Sequence, residues 1–89
     1  MNDVQKLERQ LKAMANERRL LIIKELKKKS NMSVSELADA LGTSIFPMSQ
    51  HLRILRAAEI VIYKRRGRHV TYRLLLPQQQ PIKQIIAQL

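Results

Sequence analysis

Side chains able to contact nucleic acid are concentrated in two short stretches in the second half of the chain. Residues 44–53 place hydroxyl, amide and basic groups on one side of a helical pattern, and such groups hydrogen-bond base edges and phosphates. Residues 64–69 hold four cations within five consecutive positions, whose mutual repulsion is unfavourable unless an anion such as a phosphate neutralises them. The predicted contact residues are Ser44, Phe46, Ser49, Gln50, His51 and Arg53 in the first stretch, and Lys64, Arg65, Arg66, Arg68 and His69 in the second.

Each stretch also has a simpler interpretation as a solvated surface. The first could be the outer face of an ordinary helical hairpin, and the second could be a charged, soluble hairpin tip. Phe46 could touch a thymine methyl group, or it could be buried in the core or in a dimer contact, and the sequence leaves these alternatives open.

The sequence offers no set of residues that would catalyse a reaction. It contains no evident carboxylate pair, Ser-His-Asp set or phosphate loop, and Glu36 and Asp39 are more simply helix-surface charges. The absence of cysteine excludes a thiolate metal site or a redox switch. His51 and His69 are two histidines where a metal site needs three or four ligands. We therefore predict no enzyme activity, no cofactor and no metal.

Charge indicates the class of partner. Residues 40–89 carry eight Lys/Arg and one acidic residue, Glu59, so that +7 of the net charge of +10 lies there. This excess favours nucleic acid as the partner, and the predicted helix pair between residues 33 and 58 makes double-stranded DNA the predicted one. A membrane surface is the competing anionic partner, but a membrane-binding basic helix is expected to carry bulky aromatics, and the chain has no Trp and one Phe. It also lacks an apolar run of membrane-spanning length and a signal-peptide pattern, so a cytoplasmic location is expected.

The contact residues of the first stretch belong to a predicted pair of helices between residues 33 and 58. Ser33 and Glu36 form a capping-box pattern at its start, and Gly42 is placed to end the first helix. Pro47 fits the first turn of the second helix, where its missing N–H is not needed. The second helix is predicted to bury Ile45, Met48, Leu52 and Leu55. A helix pair of this kind, with a polar second helix, is typical of a DNA-binding helix-turn-helix.

The rest of the chain is predicted to form one domain over residues 1–89. Helices are expected at residues 3–14 and, after the cap Asn16, at residues 17–28. A β-hairpin is expected from residues 60–65 and 69–76 around Gly67, followed by a last helix at residues 82–89. The terminal helices carry apolar seams predicted to form a homodimer interface: Val4, Leu7, Leu11, Ile82, Ile85, Ile86 and Leu89. The fold class is mainly α with a small β-hairpin, a winged helix-turn-helix in the order α1-α2-α3-α4-β-β-α5.

This sequence resembles the ArsR/SmtB family of bacterial and archaeal repressors over roughly residues 11–75. The resemblance rests on residues 14–20 (MANERRL), 33–38 (SVSELA), 49–55 (SQHLRIL) with Ala58, and 66–74 (RGRHVTYRL). It implies a homodimeric transcriptional regulator whose first and last helices form the dimer interface. It also implies that the two recognition helices enter successive major grooves.

The sequence departs from the family pattern at its metal sites. Many members sense metal with Cys-x-Cys where this chain has Ser33-Val34-Ser35, and hydroxyls are poor ligands for soft metals. Others use Asp, His and Glu on the last helix, where this chain has Lys83, Gln84 and Gln88. The resemblance therefore implies a regulator that does not respond to metal, with any effector or protein partner unidentified. Glu59 also replaces a glycine that the family often has after the recognition helix.

Two functions from different classes fit these observations. The first is a sequence-specific repressor that binds a pseudo-palindromic operator as a homodimer, in a prokaryotic cytoplasm and on the nucleoid when bound. Ser49 and Gln50 would contact base edges, and His51 and Arg53 would hold phosphates. The alternative is a winged-helix interaction module in a larger assembly, with non-specific or no nucleic-acid binding.

Overall fold

Five helices and one β-hairpin make up residues 3–89, which are the residues that the computed structural model describes. Residues 1 and 2 of the predicted domain lie outside this range. The elements are α1 (Asp3–Met14), α2 (Glu17–Lys28), α3 (Val34–Leu41), α4 (Ile45–Ala57), β1 (Val61–Arg66), β2 (His69–Leu74) and α5 (Ile82–Gln88). Their order confirms the predicted winged helix-turn-helix. The predicted bounds of α1 and α2 are the observed ones, while the hairpin strands and α5 differ by one or two residues.

The helix ends follow from local polar signals. The Asn16 side chain accepts a hydrogen bond from the Arg19 backbone N–H and so caps α2. Ser33 and Glu36 complete both hydrogen bonds of the capping box at the start of α3, at 2.8 and 3.1 Å. Gly42 ends α3 with a φ of 65°, a left-handed conformation that suits glycine. All three predicted signals are confirmed.

The core is aliphatic and centres on α2 and α4. Ile22 and Ile23 of α2 are fully buried. On α4, the predicted inward residues Met48, Leu52 and Leu55 are also fully buried. The prediction was wrong for Ile45, which is 52% exposed. Ile45 is the first residue of α4, so the apolar stripe of this helix continues past the end of the core.

The hairpin is an antiparallel wing attached to the helices at its base. Backbone hydrogen bonds of 3.0 and 2.7 Å join Met32, just before α3, to Tyr72 of β2. Tyr72 also lies opposite Tyr63 of β1, with the ring centroids 5.9 Å apart. The Arg56 guanidinium of α4 stacks 4.1 Å above the Tyr63 ring. These contacts fix the orientation of the wing relative to α4.

The terminal helices divide their apolar residues between the core and the surface. Ile82 and Ile86 of α5 are 1% and 6% exposed, so that the chain's own core leaves little of either side chain for a second copy. Leu7, Ile85 and Leu89 are half-buried against that core. In contrast, Val4 and Leu11 of α1 are 76% and 41% exposed. The predicted interface residues therefore form an inner group, Ile82 and Ile86, and an outer group, Val4 and Leu11. Leu7, Ile85 and Leu89 are intermediate between the two groups.

The short link of three glutamines before α5 is a hydrogen-bonding segment. Gln78 donates to the backbone carbonyls of Glu59 and Leu75, at 2.8 and 2.7 Å, and accepts from buried Gln10 of α1 at 3.4 Å. Gln80 accepts a hydrogen bond from the backbone N–H of Gln84, in the first turn of α5, at 3.0 Å. Within residues 3–89, none of the helices is both long and apolar enough to cross a membrane.

Candidate nucleic-acid interface

The recognition helix α4 has a fully buried side and an accessible side. Helical spacing places Phe46, Ser49, Gln50 and Arg53 on the side away from the buried Met48. Ser49 and Gln50 are half-buried, and Arg53 is exposed. Ser44 is the exposed N-cap residue of α4, and among the described residues its hydroxyl forms no capping hydrogen bond. The structure thus brings the predicted contacts Ser49, Gln50 and Arg53 onto one accessible face.

The first turn of α4 adds an apolar contribution to this face. Phe46 is 67% exposed, so the interpretation that it is buried in the chain's core is wrong. Ile45 beside it was not among the predicted contacts, because its spacing matched the buried stripe. Pro47 follows them within the first turn and restricts the backbone there.

His51 is held by a residue that the sequence did not indicate. Nη1 of Arg19 in α2 lies 3.3 Å from Nδ1 of His51. Arginine only donates hydrogen bonds, so Nδ1 must be the acceptor and the proton of the neutral ring sits on Nε2. Partial burial of the ring, followed by the nearby charges of Arg19 and Arg18, lowers the pKa of His51 below its usual value of 6.5. His51 can therefore present a neutral N–H donor to a phosphate.

Arg19 is fixed in turn by the end of α1. Its Nε donates to the backbone carbonyl of Ala13. The neighbouring Arg18 donates to the carbonyl of Leu41 at 2.7 Å and so joins α2 to the end of α3. The Arg19–His51 contact spans 32 positions of sequence. Neither periodicity nor capping patterns carry information over that distance.

The cations of the wing lie on both of its faces. Lys64 is opposite Thr71 and Arg66 is opposite His69, and residues opposite each other share a face. Arg65 therefore points to the other face, and Arg68 lies in the turn with Gly67, whose φ is 59°. The predicted cations are all exposed.

A shallow depression adjoins the first face of the wing. It measures about 300 Å³, and its lining residues are Asn31, Lys64, Arg66, His69 and Thr71. Asn31 and Thr71 were not predicted as contacts, although both carry groups that hydrogen-bond phosphate oxygens. The strand register, which places Thr71 opposite Lys64, is the signal that could have identified Thr71.

Ser33, at a position where the resemblance implies a metal ligand in many family members, has a structural role here. Ser33 caps α3. The backbone and side-chain hydrogen bonds between Ser33 and Glu36 lower the pKa of Glu36 below its usual 4.5. The positive charges of Lys29 and His69 lower this pKa further. Ser35 is exposed in the first turn of the same helix. Across residues 3–89, no cluster of three or more His, Cys, Asp or Glu side chains could hold a metal ion.

Comparison with known proteins identifies the family. A family model described as "Bacterial regulatory protein, arsR family" matches residues 16–63, which is more than half of the chain. The chain belongs to the ArsR family. The match includes α2, α3 and α4, whereas α1, α5 and most of the wing of this ArsR-family protein lie outside it.

Individual relatives of this ArsR-family protein are regulators. It is 45% identical over 64 residues to the HTH-type transcriptional repressor SmtB of Mycobacterium tuberculosis. The aligned residues cover 72% of this chain and 47% of SmtB. The chain thus spans about half the length of the curated relatives that it matches.

Solved structures extend the similarity to nearly the whole chain. HlyU from Vibrio cholerae has a TM-score of 0.81 and 36% identity over 99% of this chain and 92% of that one. A homodimeric winged helix-turn-helix DNA-binding domain from Mycobacterium bovis, solved by NMR, has a TM-score of 0.82 and 26% identity over 99% of this chain and 82% of that one. This ArsR-family protein has the winged helix-turn-helix fold.

Proposed function

We propose that this ArsR-family regulator is a homodimeric repressor that binds a pseudo-palindromic double-stranded DNA site independently of metal. The observation that carries the proposal is the division of α4 into a fully buried side and an accessible polar side, next to a cationic wing. A helix placed in this way can enter the major groove while the wing follows the phosphate backbone. The resemblance of the chain to SmtB, a repressor, favours repression as the outcome.

Each accessible group on α4 has a role suited to its chemistry. The Gln50 amide matches the N6 and N7 groups of adenine, and the Ser49 hydroxyl hydrogen-bonds base edges more generally. His51 and Arg53 would hold phosphates, with His51 acting as a neutral donor oriented by Arg19. Arg65, Arg66 and Arg68, with Lys64 and His69, would bind the backbone or a narrow minor groove.

The outer group of apolar residues on the terminal helices supports a dimer. Val4 and Leu11 lie seven residues apart on one side of α1, and both are exposed. Half-buried Leu7, Ile85 and Leu89 can add to such a surface. The homodimeric state of the M. bovis domain, which shares the fold, is consistent with this pairing. Two copies would place two recognition helices about one helical turn of DNA apart, roughly 34–36 Å.

Selection from a random DNA library tests the proposal directly. The purified chain at physiological salt is expected to enrich an inverted repeat with half-site centres about 10–11 base pairs apart. Sedimentation equilibrium should show a dimer. A monomer that enriches no sequence would overturn the proposal and favour an interaction module in a larger assembly.

A matched pair of leucine variants tests the interface. Leu11→Gln is expected to shift the sedimentation equilibrium towards monomer and to weaken operator binding. Leu21→Gln is the control, because Leu21 of α2 is 38% exposed compared with 41% for Leu11 and lies outside the proposed surface. Equal effects of the two variants would place the interface elsewhere.

A further inference from the structure

The first turn of α4 carries two large apolar side chains in an otherwise polar and basic setting. Phe46 is 67% exposed and Ile45 is 52% exposed, although a fully buried Met48 follows within one turn. Leaving an aromatic ring in water forgoes a substantial gain from burial. A partner that covers these two side chains would recover that gain.

The position of Phe46 on α4 limits what can cover its side chain. Phe46 lies one turn before Ser49 and Gln50, and two turns before Arg53, on the same side of the helix. Whatever covers Phe46 therefore also faces the proposed base-reading groups. Pro47 restricts the backbone of this turn, so little conformational freedom remains to be lost on binding.

Charge disfavours a protein surface like this one as the occupant. Residues 40–89 contain a single acidic residue against eight basic ones, so a second copy docked on this face would bring the same excess of positive charge. DNA supplies the opposite charge. In its major groove, the C5 methyl of thymine is the apolar group that a base pair presents.

We propose that Phe46, with Ile45 beside it, contacts thymine C5 methyl groups in the major groove and thereby makes this chain select thymine at defined positions of its site. The inference rests on the proposed function and names a specificity contact within it. Phe46 supplies the ring that covers the methyl group, while Ile45 borders the same contact.

Replacement of thymine by deoxyuridine tests the contact, because it removes one methyl group and leaves the base-pairing groups unchanged. Each thymine of the selected half-site is replaced in turn, and Kd is measured for the full-length chain. At one or two positions we expect Kd to rise roughly 3- to 10-fold. Phe46→Ala should bind the thymine and uracil sites about equally at those positions.

The control is Leu76→Ala. Leu76 is 60% exposed but follows the wing instead of starting α4, so this variant should keep the full response to uracil. Circular dichroism should show that Phe46→Ala keeps the wild-type fold, because the side chain is mostly outside the core.

The outcomes separate this inference from the proposed function. If wild-type Kd changes less than about twofold at every uracil position, or if Phe46→Ala keeps the uracil response, the methyl contact is wrong. The selected operator and the proposed function then stand. If no sequence is selected at all, both proposals are overturned.

Discussion

Arg19 of α2 hydrogen-bonds the ring of His51 in the recognition helix, with Nη1 lying 3.3 Å from Nδ1. The contact joins the helix that carries two of the fully buried core residues to the helix proposed to read DNA. It is compatible only with an unprotonated Nδ1, since two donors cannot share the bond. Protonation of His51 would therefore break the contact and place two positive charges side by side.

This relationship predicts how stability depends on pH. Because the pKa of His51 is lowered in the folded chain, the unfolded chain binds the proton more readily. The free energy of unfolding should therefore fall as pH decreases through the usual histidine value of 6.5, and this contribution should level off once the folded chain is also protonated. Urea unfolding between about pH 8 and about pH 5.5 measures the slope.

His51→Gln should flatten that slope, since an amide can still accept from Arg19 but does not titrate in this range. Arg19→Gln should reduce the slope, because it removes one of the charges that lower the pKa of His51. Glu36 does not interfere, as its pKa is lowered from 4.5 and its titration lies below the window. An unchanged slope in His51→Gln would show that another group causes the dependence.

The capping box gives a second prediction. Ser33→Ala should lower the free energy of unfolding by about 1 kcal/mol, because the backbone N–H of Glu36 loses its acceptor. Ser35→Ala is the control within the same turn: Ser35 is exposed inside α3, so its replacement should change stability by less than about 0.5 kcal/mol. Chemical denaturation of the two variants measures the difference. Equal losses would mean that the cap contributes nothing specific.

The sequence predicted the elements well because their signals are local. Asn16, the capping box and Gly42 each act within a few residues, and Gly67 marks a turn of the same short range. The accessible polar face of α4 also follows from helical spacing alone.

The features that were missed depend on contacts distant in sequence or on where the core ends. Arg19 reaches His51 across 32 positions, and Gln10 reaches Gln78 across 68. Ile45 matches the buried stripe in spacing, but the core stops one turn short of it. Periodicity reports which side of a helix faces inward, not how far along the helix the core extends.

Glu59 gives a prediction about backbone strain. Its φ is 60°, a conformation that costs a residue with a Cβ about 1–2 kcal/mol. Glu59→Gly relieves this cost. It also raises the entropy of the unfolded chain, which lowers stability, and it removes the 3.9 Å ion pair between Glu59 and Lys6. Glu59→Ala loses the same pair and keeps the strain. The balance of the two effects should leave the glycine variant more stable than the alanine variant, by up to about 1.5 kcal/mol in denaturant unfolding. A glycine variant less stable than alanine by about 0.5–1 kcal/mol, which is the entropy cost alone, would show that this position is unstrained.

The proposed division of roles between helix and wing gives the last prediction. Gln50→Ala should reduce the preference for the selected operator over random DNA, while the salt dependence of binding stays nearly unchanged, because the amide contacts a base and carries no charge. Arg66→Ala should weaken binding to both DNAs alike and reduce the slope of log K against log salt by about one per wing, hence about two per dimer.

Lys83→Ala is the charge control for this experiment. Lys83 is an exposed cation of α5, outside the proposed contact surface, so its removal should leave the slope near the wild-type value. Fluorescence anisotropy titrations at several salt concentrations, on operator and random DNA, separate the two effects. If Gln50→Ala and Arg66→Ala change specificity and slope in the same way, α4 and the wing do not divide base reading from phosphate binding.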